Sequence, residues 1–248
     1  MGSNKTGFIN ENEMVEYLNN KKISELNNNM KCFLLSIFDN VTLGSRIKAG
    51  KIGGQVKPDC FVEVDNVRKN ISLKMGSGNS IHQEPLSLFC AFLESNGVSR
   101  STVNTIKLFN YADGTIDGEG VHRVNANQFC LNNPILIKEC NQEINNNEEL
   151  MIKLFNRFLF KGVLALNPVV DVAYHGTIDE GLWATREEII EFLLQEKTEH
   201  KGIFFSNLSY QVWNRCLNYN PKTENRRHTM QVKWSSMVRD VVKITNRR

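Results

Sequence analysis

Residues 57–84 read Lys57-Pro58-Asp59-Cys60-Phe61-Val62-Glu63-Val64-Asp65-Asn66-Val67-Arg68-Lys69-Asn70-Ile71-Ser72-Leu73-Lys74-Met75-Gly76-Ser77-Gly78-Asn79-Ser80-Ile81-His82-Gln83-Glu84. Within this run Val64-Asp65-Asn66-Val67 predicts a two-residue hairpin turn, because Asp and Asn tolerate the positive φ that such a turn requires. That register pairs Val64 with Val67 and sets Glu63 against Arg68 as an opposite-charge cross-strand pair. Further along it puts Asp59 opposite Ser72. Side chains alternate across a strand, so Asp59, Ser72 and Lys74 share one face, with Ile71, Leu73 and Met75 on the other. One acid, one hydroxyl and one lysine are thereby gathered at a strand end, just ahead of a glycine-bearing loop.

Working outward, residues 10–20 and 24–39 predict two helices. In the second, Leu26, Met30, Phe33, Leu34 and Ile37 recur at helical spacing and Ser24 stands at the cap position. Residues 44–54 carry Arg46, Lys48 and Lys51 among glycines and predict a loop or a short irregular strand. After the hairpin, a helix is expected from about Pro85, with Leu86, Phe89, Phe92 and Leu93 on its apolar face, ending at Asn96-Gly97. Helices are also expected over 101–111, 148–163, 185–195 (opened by the capping box Thr185-Arg186-Glu187-Glu188) and 210–217. Strands are expected over 135–137, 169–174, 203–205 and 229–234, and a mixture of strand and loop over 121–131. His175-Gly176 and Trp183 read as turn and core. Alternating strands and helices predict an α/β chain with a mixed central β-sheet flanked by helices. No repeat or linker appears. A single domain over 1–248 is expected, with a catalytic core of about 10–140 and a C-terminal subregion of about 165–248.

Composition narrows the class. With 41% hydrophobic and 23% charged residues in 248, the chain is globular and long enough for a large core. A net charge of +3 does not by itself announce a nucleic-acid binder. Its distribution does more: Arg226, Arg227, His228, Lys233, Arg239, Lys243, Arg247 and Arg248 make the C-terminal end basic, which favours an anionic partner there or, more simply, a solvated tail. Six cysteines, at 32, 60, 90, 130, 140 and 216, form no C-x-x-C pair and read as reduced core thiols of a cytoplasmic protein. No stretch approaches the length of a membrane span, and no secretory leader is visible. Met1-Gly2 with Thr6 matches a myristoylation pattern only loosely. The absence of a phosphate-binding loop or dinucleotide fingerprint implies no nucleotide cofactor, and the acids of 113–119 lack EF-hand spacing.

Hydrolysis of a phosphodiester needs a water nucleophile, charge stabilisation at phosphorus and a neutralised leaving oxygen. A divalent metal on one or two carboxylates supplies these, and a lysine beside it can orient or deprotonate the water and balance charge in the transition state. Pro58-Asp59 followed fifteen positions after Asp59 by Lys74, in Ser72-Leu73-Lys74, resembles the PD-(D/E)XK nuclease superfamily. Among its members the chain looks most like a type II restriction endonuclease. The resemblance covers about residues 15–95 and implies a restriction-endonuclease-like core, Mg²⁺ (with Mn²⁺ as a substitute), double-stranded DNA as substrate and a homodimer that cuts both strands. One position departs from the pattern. The acid usually found two residues before the lysine is here Ser72. In some members a glutamate from the next helix replaces it, which implicates Glu84 as metal ligand beside Asp59. Glu63 is the weaker substitute if Arg68 engages it. An N-terminal acid is also implied, with Glu13, Glu16 and Glu25 as candidates.

Substrate contacts are expected from Ser77, Asn79, Ser80, His82 and Gln83, because backbone N–H groups and amides between strand and helix commonly meet phosphate; a plain loop capped by Ser80 and Gln83 is the competing reading. Arg46 and Lys48 precede the Pro-Asp strand and are placed to track the DNA backbone. Arg227, Gln231 and Lys233 share a strand face whose residue types bind phosphates and base edges, unless that face simply guards a sheet edge. A nuclease fold that binds DNA without cutting it and a junction-resolvase or repair nuclease are the alternatives.

Overall fold

The computed structural model describes the backbone of residues 3–76, 80–196, 198, 200–212 and 226–247, with side chains from residue 10 onward. In chain order the elements are α1 (Ser3–Leu18), α2 (Asn28–Ile37), β1 (Ile47–Lys51), β2 (Cys60–Val64), β3 (Val67–Lys74), β4 (Ser80–Pro85), α3 (Leu86–Ser95) and α4 (Arg100–Tyr111). They continue with α5 (Ala126–Asn132), α6 (Pro134–Asn145), α7 (Glu148–Phe155), β5 (Val172–Gly176), β6 (Gly181–Thr185) and α8 (Arg186–Gln195). The last are β7 (Phe204–Phe205), β8 (Leu208–Val212), β9 (Thr229–Lys233) and α9 (Met237–Thr245). The chain divides into two compact units, one formed by 1–78, 159–192 and 236–248 and the other by 79–158 and 193–235.

The first unit holds a five-stranded sheet in the order β1-β2-β3-β5-β6. All its neighbours are antiparallel except β3 and β5, which run parallel. The sheet is therefore mixed, as expected. Cys60, Val62, Val64, Ile71, Leu73, Val172 and Tyr174 form one core with Met14 and Leu18 of α1 and Met30, Phe33 and Leu34 of α2. Each such side chain taken fully out of water contributes about 1.5–3 kcal/mol, so this face fixes the register of all three central strands. A slip by one residue would turn every core side chain outward. The cap of α2 is Asn27, whose side chain accepts from Met30 N, whereas Ser24 lies in a preceding 3-10 turn. Tyr174 leaves no room beside it on β6: a Cβ on Gly181 would fall 1.9 Å from its hydroxyl. The turn from β6 into α8 carries the predicted capping box, with Glu188 N donating to Thr185 Oγ1 and Thr185 N to Glu188 Oε2.

The second unit holds an antiparallel sheet in the order β4-β9-β8-β7, with α3 to α7. Phe89, Phe158, Phe205 and Tyr210 form its aromatic core. Three local expectations are corrected here. Residues 135–137 belong to helix α6, because Ile137, Cys140 and Ile144 are buried at helical spacing, Ile135 points outward at 68% exposure and Pro134 opens the helix. The stretch 121–131 contains helix α5, capped by the Asn125 side chain on Gln128 N. Residues 210–212 of the helix expected over 210–217 lie instead in strand β8, where Leu208 and Tyr210 alternate inward; residues 213–217 lie outside the described residues.

Candidate active site

The hairpin forms as the sequence predicts. Asp65 and Asn66 adopt φ of 49° and 67°, and the ladder runs Val64↔Val67, Glu63↔Arg68 and Cys60↔Ile71. The backbone N–H of Asp59 donates to Ile71 O at 2.9 Å, which carries the pairing one residue past the strand end. Register alone thus delivers the Asp59 side chain to β3. Its Oδ2 accepts from Leu73 N at 2.6 Å and from Ser72 Oγ at 3.2 Å, and lies 3.8 Å from Lys74 Nζ. Those are all the contacts the carboxylate makes among the described residues, and all fall on one oxygen. The pair Asp59–Lys74 is 24% and 34% exposed at its side chains. An ion pair that wet contributes at most about 1 kcal/mol, so stability does not account for the arrangement.

The opposite-charge pair expected across the turn takes another form. Glu63 faces Arg68 in the ladder, but its ion pair is with Lys48 on β1, at 3.6 Å. Arg68 instead lies over the Phe61 ring, 3.8 Å from its centroid, and donates to Asn70 Oδ1. Its planar guanidinium stacks on the ring without giving up hydration of its edge.

Among the expected N-terminal acids, Glu13, Glu16 and Glu25 are exposed, and Glu25 accepts from Lys22 N. The acid that α1 does bring to the sheet end is Glu11, 3.2 Å from Lys51, which pairs with Cys60 in the ladder. Burial pushes the Cys60 thiol up to about 12, and the negative charges of Asp59 and Glu11 add to it. Both carboxylates therefore act on the same strand start. The signal was present in the sequence: Glu11 stands at helical spacing from the buried Met14 and Leu18.

Glu84 lies in the second unit, on β4 and two residues before α3. It is 3% exposed. Arg157 grips it at both oxygens, Nε to Oε1 at 2.8 Å and Nη2 to Oε2 at 2.5 Å, and His82 Nε2 donates to Oε1 at 2.9 Å. Burial alone would raise this carboxyl, but the hydrogen bonds from His82 and Arg157 outweigh it and hold the group below the ordinary carboxylate range. Among the described residues no group of three or more His, Cys, Asp or Glu side chains gathers as a ready-made metal cage.

Of the expected substrate contacts, Ser77 and Asn79 lie outside the described residues. Ser80 and Gln83 are exposed on β4, and Ser80 accepts from Gln231 of β9. His82 and Gln231 are buried. Lys233 pairs with Ser80 at the strand end. Arg46 and Lys48 are exposed at the start of β1. Arg227 is drawn into the 113–120 loop, donating to Asp113 Oδ2 at 2.6 Å and to Gly120 O at 2.7 Å. Cys32, Cys60, Cys90, Cys130 and Cys140 are free thiols; Cys216 lies outside the described residues. No described helix is long and apolar enough to cross a membrane.

No family model matches the chain, and no curated protein matches it. Among solved structures, the restriction endonuclease MspI in complex with its cognate DNA is similar over 93% of this chain and 90% of that one. The TM-score is 0.54 and the identity 14%. The fold is restriction-endonuclease-like. At that identity the likeness is one of backbone path. In a restriction-endonuclease-like sheet, the side chains that converge at the β2–β3 end of this chain are Asp59, Ser72 and Lys74, with Glu11 and Lys51 beside them.

Proposed function

We propose that this chain is a metal-dependent endonuclease that hydrolyses double-stranded DNA, in the manner of a type II restriction enzyme. The observation that carries the proposal is the convergence of the part-exposed Asp59 and Lys74 with the buried Ser72 at the end of β3, in a chain whose fold resembles that of a DNA-cutting enzyme. Mg²⁺ is commonly held by one or two carboxylates together with substrate phosphate and water, without a dedicated protein cage. The donor set fits that habit: among the described residues one Asp59 carboxylate oxygen takes no hydrogen bond or ion pair, because those of the side chain fall on Oδ2. Asp59 would hold the ion, with Mn²⁺ as a substitute. Bound there, the ion supplies Lewis-acid stabilisation of the phosphorane charge and of the leaving oxygen.

The protein's own groups do the remaining work. Lys74 presents an ammonium to the attacked phosphate and balances the charge that develops on its oxygens. The Ser72 hydroxyl and the Leu73 amide fix the Asp59 carboxylate by holding one oxygen, which leaves the other oriented. Glu84, with both oxygens engaged by Arg157 and His82, serves a buried pair in this reading. Arg46, Lys48, Ser80, Gln83 and Lys233 supply phosphate contacts, and a homodimer would carry one such site to each DNA strand.

Plasmid and linear DNA incubated with the protein in Mg²⁺ or Mn²⁺ should yield discrete fragments. Asp59→Asn and Lys74→Ala should each lower kcat at least about 100-fold while leaving the thermal unfolding profile unchanged. Failure of the wild type to cut linear, supercoiled or branched DNA in either metal would sink the enzyme. A second reading is favoured by one observation, the single uncommitted carboxylate beside Ser72: DNA binding without cleavage. Tight, salt-dependent DNA binding with no product in any metal selects it. Cleavage confined to branched DNA would select a junction nuclease.

A further inference from the structure

The nuclease reading leaves one proton without a destination. An attacking water must lose it as the new O–P bond forms, and Lys74, 3.8 Å from Asp59 Oδ2, is assigned above to the charge on the phosphate. A second nitrogen base stands one strand away. β5 runs parallel to β3 with Lys74 and His175 in register. Val172 and Tyr174 point into the core with Ile71 and Leu73, so His175 shares the opposite face with Ser72 and Lys74. Its side chain is partly exposed. The strand end that carries it is anchored: the buried Asn10 of α1 donates from Nδ2 to Gly176 O at 3.0 Å.

The ring is also oriented. His175 Nε2 lies 3.2 Å from the carbonyl oxygen of Gly76, just past Lys74. A carbonyl only accepts, so Nε2 carries the hydrogen. In the neutral ring the lone pair is then on Nδ1, which makes no hydrogen bond among the described residues. This is the arrangement of a histidine held by one nitrogen for use of the other.

We propose that His175 is a catalytic residue of the nuclease site, its Nδ1 receiving the proton of the attacking water; the proposal rests on the nuclease reading above. Oxygen of the water forms the bond to phosphorus as the bond from phosphorus to the leaving oxygen breaks. The water's proton passes to Nδ1, the leaving oxygen takes a proton from solvent, and the imidazolium returns its proton to solvent. Asp59, just ahead of β2, and His175, on β5, then flank Lys74 from the two sides of β3.

His175→Gln separates this role from a structural one. A glutamine amide reaches the Nε2 position and can still donate to Gly76 O, but offers no base at Nδ1. Expected are DNA affinity (measured without metal) within about 2-fold of wild type, unchanged thermal unfolding and kcat at least about 100-fold lower with little change in KM, the scale of general-base catalysis. If kcat of this variant stays within about 3-fold of wild type, the ring is only an anchor and the inference is overturned. Should His175→Gln fail to fold, His175→Asn, which keeps a polar group near Nδ1 without a base, is judged by the same criterion. Wild-type protein that cuts no DNA overturns the nuclease reading and this inference together, whereas cutting by wild type and by both variants alike overturns this inference alone.

Discussion

Replacing Glu84 by alanine should destabilise the protein severely, and the reason lies in its partners. The Glu84 side chain is 1% exposed, that of Arg157 10% and that of His82 3%. Truncation leaves a largely buried guanidinium without its counter-charge. Removing one member of such a pair costs about 3–5 kcal/mol. At about 2–4 °C per kcal/mol for a chain of this size, Tm should fall by roughly 6–20 °C. The pH dependence has a definite sign. Because the folded carboxyl is held below its ordinary range, its stabilisation is fully present above the unfolded value and is lost as pH falls through the lowered folded value. Glu84→Gln should therefore flatten the acid limb of the stability curve. Thermal melts and urea unfolding from neutral to acid pH measure both effects. Glu84→Leu with Arg157→Met removes both charges and should recover most of the loss, less the hydrogen bond to His82, about 0.5–1.5 kcal/mol. Cleavage by that double variant assigns the carboxylate: cutting restored along with stability means Glu84 serves the pair, whereas a stable but inactive double variant means it holds metal. If Glu84→Ala melts within 2 °C of wild type, the buried-pair reasoning is refuted.

Two further perturbations test the sheet that presents the site. A Cβ at Gly50 would fall 2.6 Å from the Phe61 ring, so Gly50→Val should displace Phe61 from under Arg68 and cost about 1–3 kcal/mol, read in urea unfolding; an unchanged midpoint would show that β1 yields freely. At the turn, Asn66→Val puts a β-branched residue at φ of 67° and should cost about 1–2 kcal/mol, whereas Asn66→Gly should be neutral or better; equal midpoints for the two would contradict the turn assignment.

What was legible in the sequence was what local chemistry determines. The Asp65-Asn66 turn needed only two residues that tolerate positive φ, and once it was placed, period-two alternation carried Asp59 to Ser72 without any knowledge of the remaining fold. Long periodic segments such as α2 and α4 were equally readable. The misreadings came where two periods compete over a few residues. Ile135-Leu136-Ile137 resembles a buried strand in isolation, and only the spacing of Ile137, Cys140 and Ile144, extending well past it, reveals the helix. Tyr210 erred in the other direction, because its strand is held by pairing with β9, some twenty residues further along the chain.

The candidate site divides along the same line. Asp59, Ser72 and Lys74 belong to one hairpin, so their meeting is a local fact. His175 reaches Lys74 only through a parallel pairing across about a hundred intervening residues, which include most of the second unit. Nothing near His175 in sequence distinguishes it from a turn residue, and parallel strands leave no tight turn from which register could be counted. Glu84 shows the reverse difficulty. Its spacing after Lys74 suited a metal ligand, and nothing in the sequence named Arg157 as the group that would occupy both of its oxygens. Spacing locates an acid, but whether a carboxylate is available to a metal depends on what its oxygens already hold. On that criterion Asp59, with all its contacts on one oxygen, is the better ligand, and the Glu84→Leu, Arg157→Met variant decides whether one carboxylate is enough.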